Sequence, residues 1–103
     1  MASGIQFLSV GVAPSSATLY TVPAGISHAV VHISIECSLS GAGSGGVYLT
    51  VNDQPLFSYP YPGLDKSLET ALMLSPGDYI KYINSTSFLS SAVTLLISSY
   101  EVP

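Results

Sequence analysis

Apolar residues in this chain recur at every second position, and a period of two dictates an extended strand with one face buried. Val31 to Leu39 is the clearest case. Val31, Ile33, Ile35, Cys37 and Leu39 fall on one face, and His32, Ser34, Glu36 and Ser38 on the other. Val47, Leu49 and Val51 alternate in the same way with Tyr48, Thr50 and Asn52, and Val93, Leu95 and Ile97 oppose Thr94, Leu96 and Ser98. Weaker strand signals cover Ile5 to Val12, Ala17 to Val22, Pro55 to Tyr59, Glu69 to Leu74 and Asp78 to Ile83. Between them stand turn formers: Ala13-Pro14-Ser15, Pro23-Ala24-Gly25, Gly41 to Gly46, Asn52-Asp53-Gln54-Pro55, Pro60 to Gly63 and Ser75-Pro76-Gly77-Asp78. Asp65 to Met73 contains good helix formers, but it is short and its end alternates too. Roughly eight short strands bounded by turns predict an all-β protein, an antiparallel β-sandwich or barrel. The expected core includes Val31, Ile33, Ile35, Leu49, Val51, Leu95 and Ile97.

At 103 residues the chain fits one domain, residues 1–103, large enough for a real core. It shows no linker, internal repeat or block of charge. Met1 to Gly4 is small and uncharged, and is expected to be a flexible N-terminal arm able to extend a sheet edge of a partner. No basic region followed by an apolar stretch opens the chain, which argues against a secretory leader. No apolar run approaches the ~20 residues of a membrane-spanning helix.

Charge narrows the function. Only 8% of the residues are charged, the net charge is -4, and Lys66 and Lys81 are the only cationic side chains besides histidine. A basic stripe for nucleic acid is missing, as is attraction to anionic membrane. So is arginine, the usual fork for phosphate or carboxylate. The polar surface is built from Ser, Thr, Gly, Asn and Tyr. With 48% hydrophobic residues, part of the apolar surface of so small a domain is expected to be covered by partners, most simply by other copies of the chain.

Candidate chemistry is sparse. His28 and His32 would share a helix face, but four positions along a strand separate them by ~13 Å, too far for a common metal. Cys37 cannot form an internal disulfide, has no basic neighbour in sequence and lies on an apolar face, as a buried structural thiol does. Gly43-Ser44-Gly45 lacks the lysine and helix of a phosphate loop, and no serine sits in a nucleophile elbow. Asn84-Ser85-Thr86 is formally a glycosylation sequon, read here as a polar turn. These observations predict no catalysis, no cofactor and no metal. The unusual local cluster is Tyr59-Pro60-Tyr61-Pro62-Gly63. Alternating Tyr and Pro makes a stiff loop, whose Tyr59 and Tyr61 rings either stack on a sugar or protein, or fold over the sandwich's own end.

Several segments taken in order carry a resemblance. Tyr20-Thr21-Val22-Pro23-Ala24-Gly25 leads into an alternating strand, followed by Val47-Tyr48-Leu49-Thr50-Val51-Asn52 and Pro55-Leu56. Leu72-Met73-Leu74-Ser75-Pro76-Gly77-Asp78-Tyr79-Ile80 then precedes another strand. From Thr18 to Ile83 the chain resembles small virion proteins of tailed bacteriophages, namely capsid decoration (cement) proteins and the β-sandwich heads of tail fibres. Its motifs are loose turns that many sandwiches use, and no functional residue carries over. The resemblance implies a jelly-roll-like sandwich, often a homotrimer, without catalysis. It implies a structural protein made in the host cytoplasm and placed on the virion, where it binds the major capsid protein on the capsid surface. The absence of heptads or a fibrous repeat favours decoration over a fibre. The alternative is a fibre tip or lectin-like glycan-binding module. The expected partner-binding residues are Met1, Ala2, Ser3, Gly4, Tyr59 and Tyr61.

Overall fold

A computed structural model of the chain describes residues 3–10, 15–40, 45–60, 65–85 and 90–103. Eight strands follow one another: β1 (Ser3–Val10), β2 (Ser15–Thr21), β3 (His28–Ser40), β4 (Gly46–Val51), β5 (Gln54–Pro60), β6 (Lys66–Leu74), β7 (Tyr79–Asn84) and β8 (Ser90–Val102). All pairings are antiparallel. They form two four-stranded sheets, ordered β1-β8-β3-β6 and β2-β7-β4-β5. The pairing is nested: β4 with β5, β3 with β6, β2 with β7 and β1 with β8. The segment with helix formers is thus strand β6, because Leu68, Leu72 and Leu74 alternate toward the core while Glu69, Ala71 and Met73 face outward.

Alternation becomes burial where the two sheets meet. Ala29, Val31, Ile33, Ile35 and Cys37 of β3 line the inner face at 2% exposure or less. In their rows, Ile33 pairs with Ile97 and Ile35 with Leu95. The other sheet contributes Val47, Leu49, Phe57, Tyr59, Ile80 and Tyr82 to the same cluster. Of the expected core residues, only Val51 is half-buried, since it closes β4 at the rim beside the turn.

The turns follow their residue chemistry. Asn52 and Asp53 both have positive φ, 51° and 63°, and join β4 to β5 as the two-residue loop of a tight hairpin. At Ser75-Pro76-Gly77-Asp78 the Asp78 amide donates to the Ser75 carbonyl at 3.0 Å, and Gly77 supplies the φ of 92° that such a turn needs. Cross-sheet ties flank the core. The Tyr20 hydroxyl of β2 donates to a Glu101 carboxylate oxygen of β8 at 2.7 Å. Lys66 of β6 donates to the Ser58 carbonyl of β5 at 2.7 Å, with its ammonium 5.4 Å from the centre of the Phe57 ring.

Placing a carboxylate at a fully buried inner-face position leaves it unpaired among apolar side chains. Ile35→Asp is therefore expected to abolish the cooperative thermal transition and the soluble yield. Leu49→Ala, which leaves a cavity instead, is expected to stay folded and lose about 2–5 kcal/mol by denaturant titration.

Candidate functional site

Outward-facing residues of the first sheet form its least explained surface. Tyr100 of β8, Val30 of β3 and Met73 of β6 lie opposite one another in one row across three strands. Met73 is 73% exposed and Tyr100 49%. The next row is Ser98, His32 and Ala71, followed by Leu96, Ser34 and Glu69, then Thr94, Glu36 and Ser67. Leu96, 39% exposed, borders a shallow groove of about 330 Å³ with His32, Ser34, Glu69 and Ser98. The acidic and basic side chains in these rows, apart from the Tyr100 phenol, are Glu36, Glu69 and His32, and lysine is missing from them. Such a face offers apolar contact and hydroxyl hydrogen bonds, with a slight negative balance.

At one end of the molecule the turns are fastened to each other. One Asp78 carboxylate oxygen accepts from the Ser75 amide at 2.8 Å, and the other accepts from the Asn52 side-chain amide at 3.0 Å. The Asn52 side-chain carbonyl accepts from the Tyr79 amide, and the Tyr79 hydroxyl donates to Asp53. The Asp78 carbonyl accepts from Val22, whose own carbonyl accepts from Gly77. The Ser75 amide, then Asn52, hold the Asp78 carboxyl below its usual range, and the hydrogen bond to Asp53 raises the Tyr79 phenol. Every partner of Asp78 here belongs to a turn or strand end, so the cluster reads as a clasp between the β2–β3, β4–β5 and β6–β7 connections.

Cys37 and Tyr82 lie deep in the core. Burial pushes the Cys37 thiol up to about 12, against a small opposing pull from Lys66, and raises the Tyr82 phenol to about 12. A thiol held protonated at 2% exposure is structural, as the sequence predicts. Among the described residues no three of His, Cys, Asp and Glu stand close enough to hold a metal ion. His28 opens β3 beside the Ser27 hydroxyl, and His32 lies exposed on the outer face.

The residues expected to bind partners are placed as follows. Tyr59 is a correction: it lies on β5 opposite Val47, 2% exposed, so its ring packs in the core and offers no stacking face. Its phase with Phe57, two residues earlier, carries it inward. Ser3 and Gly4 also depart from a free arm, because they open β1 and pair with Tyr100 and Ser99. Met1, Ala2 and Tyr61 lie outside the described residues, as do residues 41–44 of the glycine run and Thr86 of the sequon. Met73 and Tyr100 went unnoticed in the sequence. Their signal was phase: once Leu72 and Leu74 face inward, Met73 is an apolar residue left outside.

No protein-family model matches the chain. No curated protein matches it either. Among solved structures, the chain is similar to one from work describing Bacillus endospore appendages as a novel family of disulfide-linked pili. That likeness has a TM-score of 0.47 and 7% identity, and covers 99% of this chain and 88% of the other.

Two outcomes follow from these geometries. A thiol-reactive disulfide reagent is expected to leave Cys37 unmodified in the native protein and to modify it fully in denaturant. The depressed Asp78 carboxyl stabilises the fold above its unfolded-state value, and this contribution is lost as pH falls through the lower folded value. Asp78→Asn is therefore expected to flatten the fall in stability below about pH 5, measured by urea titration at several pH values.

Proposed function

We propose that the chain is a non-enzymatic virion structural protein of a tailed bacteriophage, a decoration protein that binds the assembled capsid. The observation carrying this reading is the outer face of β8-β3-β6, where Tyr100, Val30, Met73 and Leu96 are presented among hydroxyls with little charge. Such a surface suits contact with another protein shell. The nested order of the two sheets supports reading the fold as a jelly-roll sandwich, since eight strands paired from the middle outward wind in this way. In this reading the protein needs no cofactor and works by mass action: binding the lattice but not its separated subunits stabilises the lattice. Met1, Ala2 and the outer face supply the contacts, and copies self-associate.

A fibre-tip or glycan-binding role loses half of its expected aromatic pair with Tyr59 in the core, leaving Tyr61.

The test mixes purified protein with undecorated capsids of its own particle at low and high salt and measures occupancy. Lys66 is already engaged by Ser58, which leaves Lys81 as the lysine free for ion pairs. Occupancy is therefore expected to change little with salt, and Met73→Asp with Leu96→Asp is expected to abolish it while the fold persists. No binding at either salt overturns decoration. Glycan-array binding lost in Tyr61→Ala establishes the tip reading in its place.

A further inference from the structure

Each sheet has two edge strands, and an unpaired edge is a template for another chain unless something blunts it. Among the described residues, three of the four edges are blunted. β2 bulges at Leu19, where its register with β7 shifts between Thr18 and Tyr20. β5 carries Pro55 and Pro60, and its register with β4 shifts at Leu56. β6 begins with Lys66 and has Glu69 in its middle, both exposed. β1 has none of these devices. Ser3–Val10 pairs residue for residue with β8 over its whole length without a shift, and contains no proline and no charged residue.

We propose that the outer edge of β1 is the seam between two copies of this chain, whose β1 strands pair antiparallel about a two-fold axis at Gln6. A single eight-stranded sheet results, ordered β6-β3-β8-β1 in one copy and β1-β8-β3-β6 in the next.

Three observations select a second copy as the occupant. The edge is its own complement, because one antiparallel pairing consumes both unprotected edges and closes the assembly. Charge does not oppose it: β1 has none, and the one charged residue of β8 is Glu101, already engaged by Tyr20. The seam also continues the apolar outer face, since Leu96 and Tyr100 sit on β8 directly beside β1, paired with Phe7 and Ser3.

Geometry restricts the register, and centring on Gln6 keeps the pairing within the middle of Ser3–Val10. A two-fold axis through an antiparallel junction stands perpendicular to the sheet and keeps each face on its own side. Paired positions must then share parity, so one residue meets its own copy. Centring on Gln6 sets Ser3 at the position opposite the second copy's Ser9 and Ile5 at the position opposite its Phe7. An edge of this kind closes at two, so the assembly in solution is a dimer in place of the trimer that the phage resemblance implies. The inference does not depend on capsid binding.

Sedimentation of the full chain tests it. Wild type is expected at twice the monomer mass. Ser3→Lys with Ser9→Lys sets like charges opposite each other twice across the seam and is expected to weaken the dimer by about tenfold. Ser3→Lys with Ser9→Glu sets opposite charges there and is expected to restore it. Melting curves check that both variants fold. In the wild type, amide hydrogen exchange of β1 is expected to slow as concentration rises through dimerisation, which reads the seam without any substitution. A wild-type monomer or trimer overturns the proposal. So does a dimer indifferent to Ser3→Lys with Ser9→Lys, a failure of Ser9→Glu to restore it, or concentration-independent exchange in β1.

Discussion

The ladder between β3 and β8 is the constraint on which the remaining structure rests. The two strands pair over thirteen positions, from His28 opposite Val102 to Ser40 opposite Ser90. Both present alternate residues to the second sheet, so the face of one fixes the face of the other. A slip of one residue would carry His32, Ser34 and Glu36 inward and expel Ile33 and Ile35. The penalty for burying the Glu36 carboxylate alone exceeds anything that a shifted backbone ladder recovers. With that register fixed, β6 and β1 can add only in the phase that puts Leu74 inside and Met73 outside. The sheet of β4 and β7 must then present Leu49, Ile80 and Tyr82 to meet it.

With so little charge available, three of the ionised groups serve as ties between elements. Lys66 reaches from β6 to the backbone of β5, Glu101 takes the Tyr20 hydroxyl, and Asp78 fastens three connections at one end. Each of these contacts joins elements that are separate in sequence. The outer face of the first sheet carries Glu36 and Glu69 among mostly neutral side chains. This division explains how a chain with 48% hydrophobic residues remains organised at its rims.

Much of this was legible in the sequence because period two is a local signal. All eight strands overlap the segments that alternation or weaker strand signals marked, and six of the seven expected core residues are buried. Strand ends were not legible. β3 and β8 each run longer than their alternating cores, because a long partner stabilises flanking residues such as His28 and Tyr100 that have no pattern of their own. Tyr59 misled for a related reason. The prolines around it read as a loop, although proline is tolerated on an edge strand, and β5 is an edge. Which strands become edges is a property of the whole topology, so the bare edge of β1 appears only after the sheets are assembled.

The nested pairing also orders events in time. Among the described residues, the hairpin through Asn52 and Asp53 is the one place where neighbours in sequence pair across a two-residue loop. Each further pair encloses the last: β3 with β6, β2 with β7, then β1 with β8. Closing a larger loop is entropically dearer unless the inner pairs have already brought its ends together. Loop-closure entropy therefore favours an order of closure from the middle outward. During synthesis β1 leaves the ribosome ahead of β8, its neighbour in the sheet, which is made some ninety residues later by the pairing of Ser3 with Tyr100. For that interval an uncharged strand with no proline stands without that neighbour, a natural client for whatever holds nascent chains apart.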